Sequence, residues 1–307
     1  MAKEAPNAVL LVVVNRVESK ARAVEQIAAF PPKRVIGSGT PLDGLRLGKG
    51  FTNHGIAACV GQVCAAFLSR VVVYAAGAKQ KEGEKRSSLL ERNVEVARSL
   101  VPQIAKAEPS AILLVVVNPV EAMTYAVQRI SGFPPNRVIG SGTLIDGVRL
   151  VGCVSEKLER AQSTIYNLYT LGLHGDFLCP SWSISSSYGQ PLFSLLSVEE
   201  RNEALRTTSQ AAEKVIGGIG FTNHGIGACV GRICGSLLSG TSDHIFTLSV
   251  NGNGYFGIKE DIFISLPVTV GSAGVKKLLE IPLADEEKAK LMDCSQRLLE
   301  IQSSVTL

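Results

Sequence analysis

The 307-residue sequence has no apolar run long enough to cross a bilayer and no set of cysteines at short, regular spacings. The apolar run at residues 8 to 14 is too short for a transmembrane helix and has no cleavage site after it, so it predicts a buried strand. Seven scattered cysteines predict reduced thiols in a cytoplasmic protein and no disulfides. The net charge is only +4, and the sequence has no run of basic residues alternating with aromatic residues. We therefore expect neither nucleic acid nor membrane as a partner.

What the sequence does contain is an ordinary globular composition and an internal duplication. Hydrophobic residues make up 46% and charged residues 19% of the chain, which excludes a disordered protein. Residues 8 to 47 and 111 to 150 align without a gap, with about two thirds of positions identical, and residues 48 to 69 resemble 218 to 239. Residues 1–70 are therefore a mosaic of two downstream segments. Two unequal copies do not make a solenoid, which needs several units of one period.

Strand and helix patterns alternate along the first half of the chain. Continuous Val, Leu and Ile runs indicate strands covered on both faces, as in a parallel sheet. We predict an α/β domain over residues 1–150 and a mixed α+β domain over residues 151–307. The predicted strands of the first domain are 9 to 14, 34 to 37, 71 to 77, 112 to 117 and 137 to 140, and its predicted helices are 17 to 29, 53 to 68, one starting near 85, and 121 to 131. Helices near 198 to 216, 222 to 239 and 284 to 303 are predicted in the second domain.

His174 lies between Gly172 and Gly175 in "LGLHGD", and Asp176 is two residues further on. A single histidine in a loop is by default structural or solvated, so a catalytic role requires partners. Asp146 and Arg149 in "LIDGVRL" are three residues apart, which puts them on one face of a predicted helix. Asp146 could orient an imidazole and Arg149 could bind a carboxylate through two parallel hydrogen bonds, although a surface ion pair has the same spacing.

Two further segments follow predicted strands, where α/β sheets form their ligand crevice. The polar loop "GAKQKEGEKRS" at residues 77 to 87 could close over a ligand and bring Arg86 with it, and a plain solvated loop is the alternative. Asn118 ends the strand before "NPV" and could contact a carbonyl group or a cofactor.

Together these motifs resemble the L-lactate dehydrogenases, with the malate dehydrogenases as a related group. The resemblance is carried by "AAGAKQKEGEKRSSLLERNV", "VVNPVEAMTYAVQRISGFPPNRVIGSGTLIDGVRL", "LGLHGD" and "GFTNHGIG", and it covers residues 71 to 307. It implies a Rossmann-like nucleotide-binding domain followed by a catalytic domain of lactate/malate dehydrogenase type. It also implies NAD as the cofactor, a 2-oxo or 2-hydroxy acid as the substrate, a part in glycolysis, and a homo-oligomer, either a dimer or a tetramer.

The resemblance also implies a role for each site residue. His174 would be the acid/base that protonates the pyruvate carbonyl, Asp146 would hold its ring, and Arg86 would polarise the carbonyl from the mobile loop. Arg149 would bind the substrate carboxylate. Gln80 would select pyruvate, since malate enzymes place an arginine there. The remaining implied contacts are Asn118 and Thr222 to the substrate and nicotinamide, and Gly77, Ala78 and Asn118 to the cofactor.

The first strand departs from the family pattern. The family has a glycine-rich turn after this strand, so that the cofactor pyrophosphate sits on a helix N-terminus. Here "VVVNRVESK" has no glycine, and Asn15, Arg16 and Val17 would obstruct the phosphates. The sequence therefore leaves three hypotheses open: a lactate dehydrogenase, a malate-type dehydrogenase, and an impaired or inactive relative that serves as a binding or oligomerising module.

Two other patterns predict no site. "GNGYFG" at residues 252 to 257 has the glycine spacing of a dinucleotide fingerprint, but it lies between two predicted strands and indicates a hairpin. His224, Cys229 and Cys234, like their duplicates His54, Cys59 and Cys64, occur five residues apart on predicted helices. Such side chains rotate around the helix and do not converge on one ion. We therefore expect no metal.

Overall fold

The computed structural model describes residues 10–14, 35–37, 71–78, 86–175, 177–219, 222–240 and 244–306. The predicted helices at 17 to 29 and 53 to 68 lie outside these residues, as does the loop between residues 78 and 86. The strands in the described residues are β1 (Leu10–Val14), β2 (Val35–Gly37), β3 (Val71–Ala75), β4 (Ile112–Val115), β5 (Val138–Gly140), β6 (Ile165–Tyr166), β7 (Thr170–Leu173), β8 (Phe177–Pro180), β9 (Ser186–Ser187), β10 (Gln190–Pro191), β11 (Phe246–Asn251), β12 (Phe263–Gly271) and β13 (Gly274–Leu278). The helices are α1 (Arg86–Ala107), α2 (Val120–Ser131), α3 (Leu144–Leu158), α4 (Leu192–Leu195), α5 (Val198–Ile219), α6 (Asn223–Ser239) and α7 (Asp285–Ser303).

One large mixed sheet organises the described residues. Its strand order is β2-β1-β3-β4-β5-β11-β12-β7-β8, with β13 paired to β12. The first five strands are parallel, and β11, β12, β7 and β8 continue the sheet with antiparallel pairs. Every residue of β3 and β4 is buried, as expected for parallel strands covered by helices on both faces. The predicted parallel sheet is confirmed.

The parallel part of the sheet reverses its order between β1 and β3. β2 pairs on one side of β1, while β3, β4 and β5 follow in sequence on the other side. Open α/β sheets bind ligands at such a switch point, beyond the carboxyl ends of the strands. Gly77 and Ala78 follow β3 at this edge, and Asn118 follows β4.

Two hydrophobic cores lie on the two faces of the sheet. Helices α1 and α2 pack on one face, where Leu100, Ile104 and Met123 are fully or almost fully buried. Helices α6 and α7 cover much of the other face, where Ile233 and Leu298 are fully buried. These helices hold the strand ends, and the loops that carry the candidate site, in fixed positions.

Several further predictions can be checked against the fold. The "GNGYFG" segment connects β11 to β12, which pair antiparallel, so the predicted hairpin is confirmed. In the part of the chain that the structure describes, Cys153, Cys179, Cys229, Cys234 and Cys294 form no disulfide, and no helix is long and apolar enough to cross a membrane. The domain division at residue 150 stays a prediction; helix α3 runs through that position.

Candidate active site

His174 lies in the tight turn that joins β7 to β8. Gly172 and Gly175, on either side of His174, have φ values of +97° and +96°. Residues with a Cβ rarely adopt such positive φ values. A Cβ at Gly172 would also lie 2.8 Å from the carbonyl oxygen of Phe177. The glycines of "LGLHGD" therefore allow a sharp turn that presents the imidazole next to helix α3. Asp176 lies outside the described residues.

Asp146 lies in the first turn of α3, which is held in place by the loop after β5. Gly142 in this loop has a φ of +54°, and a Cβ there would lie 2.6 Å from Ser265 Oγ and 2.7 Å from the backbone nitrogen of Ser249. The next residue, Thr143, donates a hydrogen bond from its hydroxyl to the Thr170 carbonyl on β7. These contacts connect the start of α3 to the strand that leads to His174.

The structure brings His174, Asp146 and Arg149 together. His174 Nδ1 lies 2.5 Å from Asp146 Oδ2, and Arg149 Nη1 lies 3.8 Å from Asp146 Oδ1. The Asp146 side chain is 1% exposed, whereas those of His174 and Arg149 are 24% and 18% exposed. The aspartate is thus buried behind an imidazole and a guanidinium that remain partly accessible. A 3.8 Å contact is too long for a strong hydrogen bond, so the Arg149 guanidinium keeps donors for another carboxylate.

The surroundings of His174 favour its protonated form. Burial disfavours a charged ring, but the hydrogen bond to Asp146 and the negative charges of Asp146 and Glu121 outweigh burial and the positive charge of Arg149. The pKa of His174 is therefore raised above its ordinary value of 6.5. An ionised aspartate only accepts hydrogen bonds, so Nδ1 carries a proton toward Asp146 and Nε2 is left for chemistry.

Glu121 is a neighbour of His174 that the sequence analysis missed. It lies in the first turn of α2, is completely buried, and accepts a 3.2 Å hydrogen bond from the His174 backbone N–H. Burial raises the pKa of its carboxyl group, against the charge of His174 and a hydrogen bond from Ser265, which lower it. In the sequence, Glu121 is visible only as an acidic residue directly after "NPV". An acid in the first turn of a helix usually lies at the surface and interacts with the helix dipole, so this position did not indicate a buried residue of the site.

Asn93 connects the strand ends at the edge of the crevice. Its side-chain oxygen accepts a hydrogen bond of 2.7 Å from the Ala78 backbone N–H, and its amide donates to the Asn118 carbonyl at 2.8 Å. Asn93 is only 1% exposed. The ends of β3 and β4 are therefore fixed relative to each other, with Gly77 and Ala78 half-buried and Asn118 exposed.

The remaining predicted site residues lie outside the described residues or beside them. Gln80 lies outside the described residues. Arg86 is the first residue of α1, and the structure describes only its backbone. Thr222 directly precedes α6 and is half-buried. A Cβ at Gly225, in the first turn of α6, would lie 3.0 Å from Ile145 Cδ1, so the start of α6 packs against the start of α3.

No group of three or more potential metal ligands occurs in the described ranges. Cys229 and Cys234 on α6 are both buried in the hydrophobic core, and burial raises the pKa of their thiols to about 11 and about 12. Such thiols stay protonated at neutral pH, whereas metal binding requires thiolates.

Comparison with known proteins places this arrangement in a family. Residues 56–140 match the lactate/malate dehydrogenase NAD binding domain, and residues 143–306 match the lactate/malate dehydrogenase alpha/beta C-terminal domain. The chain belongs to the lactate/malate dehydrogenase family. The two matches together cover most of the chain. They confirm the predicted fold class, a Rossmann-like sheet domain followed by a mixed α+β catalytic domain of lactate/malate dehydrogenase type.

Two relatives and one solved structure illustrate how similar this chain is to known lactate dehydrogenases. The L-lactate dehydrogenase B-A chain of Danio rerio is 36% identical over 244 residues, covering 77% of this chain and 72% of that protein. L-lactate dehydrogenase 1 of Clostridium acetobutylicum is 37% identical over 244 residues, covering 77% of each. The crystal structure of MGS-M5, a lactate dehydrogenase from a deep-sea metagenome library, has a TM-score of 0.79 at 26% identity and covers 97% of this chain and 99% of that one.

The matched N-terminal model is an NAD-binding domain, and NAD is the cofactor of this dehydrogenase family. A Cβ at Gly77 would lie 2.6 Å from Val117 Cγ1, so this glycine lets the chain end β3 close to the end of β4. The half-buried Ala78 and the exposed amide of Asn118 are the described groups at this edge that would contact the dinucleotide. The turn expected to hold the pyrophosphate follows β1 and lies outside the described residues. Its sequence has no glycine, and the match to the NAD-binding model begins after it, at residue 56.

Proposed function

We propose that this chain interconverts pyruvate and L-lactate with NAD. The observation that carries the proposal is the 2.5 Å contact between a partly exposed His174 and a buried Asp146, with Arg149 alongside. The relatives at 36% and 37% identity are named L-lactate dehydrogenases. Bound NADH supplies the hydride that reduces the ketone.

In the proposed reaction His174 is the acid/base. Asp146 accepts a hydrogen bond from Nδ1–H, which leaves Nε2 to donate its proton to the carbonyl oxygen as the ketone is reduced. In the reverse direction Nε2 accepts the hydroxyl proton of lactate. Because its pKa is raised, the ring stays protonated closer to neutral pH, as an acid in pyruvate reduction must be.

Substrate binding is assigned to cationic and amide groups around the histidine. Arg149 binds the carboxylate through its free donors, and its position three residues after Asp146 keeps the carboxylate near the imidazole. Arg86, at the start of α1, polarises the ketone oxygen when the preceding loop closes. Asn118 and Thr222 border the pocket on the side of the nicotinamide.

The preference for pyruvate is assigned to Gln80. A neutral amide at this position suits the methyl group of pyruvate, whereas the second carboxylate of oxaloacetate would lack a cation and leave a charge unpaired. This separates the proposal from malate-type specificity.

A second candidate function is that of an impaired relative, a binding or oligomerising module. The absence of glycine after β1 favours it, because a pyrophosphate needs close contact with backbone N–H groups. The homo-oligomer and the cytoplasmic location implied by the resemblance also stay proposals. Light scattering of the purified chain tests the first, and fractionation of the producing cells tests the second.

NADH fluorescence discriminates between the enzyme and the impaired relative. Titration of the chain with NADH, with and without oxamate as a pyruvate analogue, is expected to show enhanced fluorescence that tightens with oxamate. Steady-state rates with pyruvate should then exceed those with oxaloacetate. Absence of enhancement at millimolar NADH supports the impaired relative, and a preference for oxaloacetate contradicts the role of Gln80.

A further inference from the structure

Glu121 is buried behind the catalytic turn, on the face of the sheet that packs against α2. Its Oε1 atom accepts a 2.8 Å hydrogen bond from Ser265 Oγ on β12 and a 3.2 Å hydrogen bond from the His174 backbone N–H. Ser265 Oγ in turn accepts from the backbone N–H of Thr143, at the start of α3. One carboxylate oxygen thus connects α2, β12 and the turn that carries His174.

The second oxygen of Glu121 has no comparable partner. Its Oε2 atom is buried without a hydrogen bond to any part of the chain that the structure describes. An ionised carboxylate with one unpaired oxygen and no exposure is strongly disfavoured unless a positive charge lies close by. Burial raises the pKa of this carboxyl group and the charge of His174 lowers it, so the ionised form of Glu121 depends on a nearby cation.

The protonated imidazole of His174 is the group that can supply a positive charge close to the Glu121 carboxylate. His174 is bound to Glu121 through its backbone N–H, and its charge is the one that acts on the Glu121 carboxyl group. The interaction between His174 and Glu121 is favourable for the charged form of each. Among the described residues, the charged groups that act on His174 and Glu121 are Asp146 and Arg149 on α3, and the titratable thiols that interact with these groups are Cys229 on α6 and Cys294 on α7.

We propose that Glu121 is a positioning residue for His174, whose carboxylate anchors the backbone of the catalytic turn and supplies a second negative charge that stabilises the protonated ring. The inference rests on the proposed function, because it assigns His174 the role of proton donor. When Nε2 gives its proton to the ketone oxygen, the ring becomes neutral and Glu121 loses its counter-charge. Uptake of a solvent proton by the ring is then favoured, which returns His174 to the form needed for the next pyruvate.

Glu121→Gln tests the charge separately from the anchor. The amide oxygen of glutamine still accepts the two hydrogen bonds, but the side chain is neutral. The histidine ring signals are followed by NMR as the pH is varied; the sequence has only four histidines, and His174→Gln identifies the signal of interest. We expect the His174 pKa to fall by about one unit in Glu121→Gln, as for removal of one nearby opposite charge. The pH profile of pyruvate reduction should shift by the same amount.

Two further variants separate this charge effect from a general loss of structure. Glu121→Asp keeps the charge and should return the His174 titration toward that of the parent. Glu287→Gln neutralises a buried glutamate that binds Ser183 and is not among the groups that act on His174, so it should leave the titration unchanged. Coincident titrations of the parent and Glu121→Gln would overturn the inference, as would a loss of activity equal at every pH.

Failure of the proposed function would be recognised separately. If the parent does not reduce pyruvate, the proposed function fails, while the NMR titration still measures whether Glu121 controls the protonation of His174. If the parent turns over and the titration of His174 does not respond to Glu121→Gln, only the positioning role fails.

Discussion

Asp146→Asn is the substitution that tests the electrostatics of the site most severely. It replaces the buried carboxylate that lies 2.5 Å from His174 Nδ1 with a neutral amide of almost equal size. A hydrogen bond to a charged group contributes about 1.5–3 kcal/mol, and about 1.4 kcal/mol corresponds to one pKa unit. The His174 pKa should therefore fall by about one to two units. Near pH 7.5 the rate constant kcat/KM for pyruvate reduction should fall about 10- to 100-fold.

The assay is the steady-state oxidation of NADH by pyruvate across a pH series. The loss should be smallest at acidic pH, where the ring of the variant is still protonated, and should grow as the pH rises. Asp293→Asn is the matched control, since it neutralises an exposed aspartate that pairs with Arg297 on α7 and should change kcat/KM less than twofold. A uniform loss at every pH, or an unchanged profile, would refute the assignment of Asp146 as the partner of the catalytic ring.

Two further predictions concern stability. Gly142→Ala should lower the free energy of unfolding, measured in urea, by about 2–4 kcal/mol, because the backbone there is left-handed and the added Cβ would lie 2.6 Å from Ser265 Oγ. Gly132 also has a left-handed backbone but has open space around it, so Gly132→Ala should lower the free energy of unfolding by only about 1 kcal/mol. Equal losses would mean that the packing against Ser265 contributes nothing. Folding raises the His174 pKa above 6.5, so its contribution to stability is fully present below pH 6.5 and is lost as the pH rises through the folded-state pKa. The stability advantage of the parent over His174→Gln should shrink over that range, and an advantage that grows with pH would contradict the raised pKa.

Much of the sheet could be predicted from local sequence. Continuous Val, Leu and Ile runs gave strands within one or two residues of those observed, because such segments are stable only when both faces are covered. The duplicated triplet "VIG" forms strands at both Val35–Gly37 and Val138–Gly140, although the two strands occupy different places in the sheet. Local sequence therefore determined that each copy is a strand, while its neighbours in the sheet were determined by the rest of the chain.

The site was predictable only in part. The spacing of Asp146 and Arg149 indicated one face of a helix, but their proximity to His174 came from the family resemblance, since the pairing depends on packing between α3 and β7. Glu121 was missed because a first-turn acid is normally solvated, and its buried carboxylate accepts a hydrogen bond from Ser265, 144 residues away in the chain. The contact between Gly142 and Ser265 is equally long-range and leaves no local pattern in the sequence.

The central claim is that a protonated His174, held by Asp146, delivers a proton to pyruvate. The most direct measurement is the rate of NADH oxidation by pyruvate at neutral pH, for the parent and for His174→Gln at the same bound NADH. We expect turnover in the parent and a loss of at least about 100-fold in the variant, because the variant lacks the general acid. Equal rates in the two proteins would contradict it.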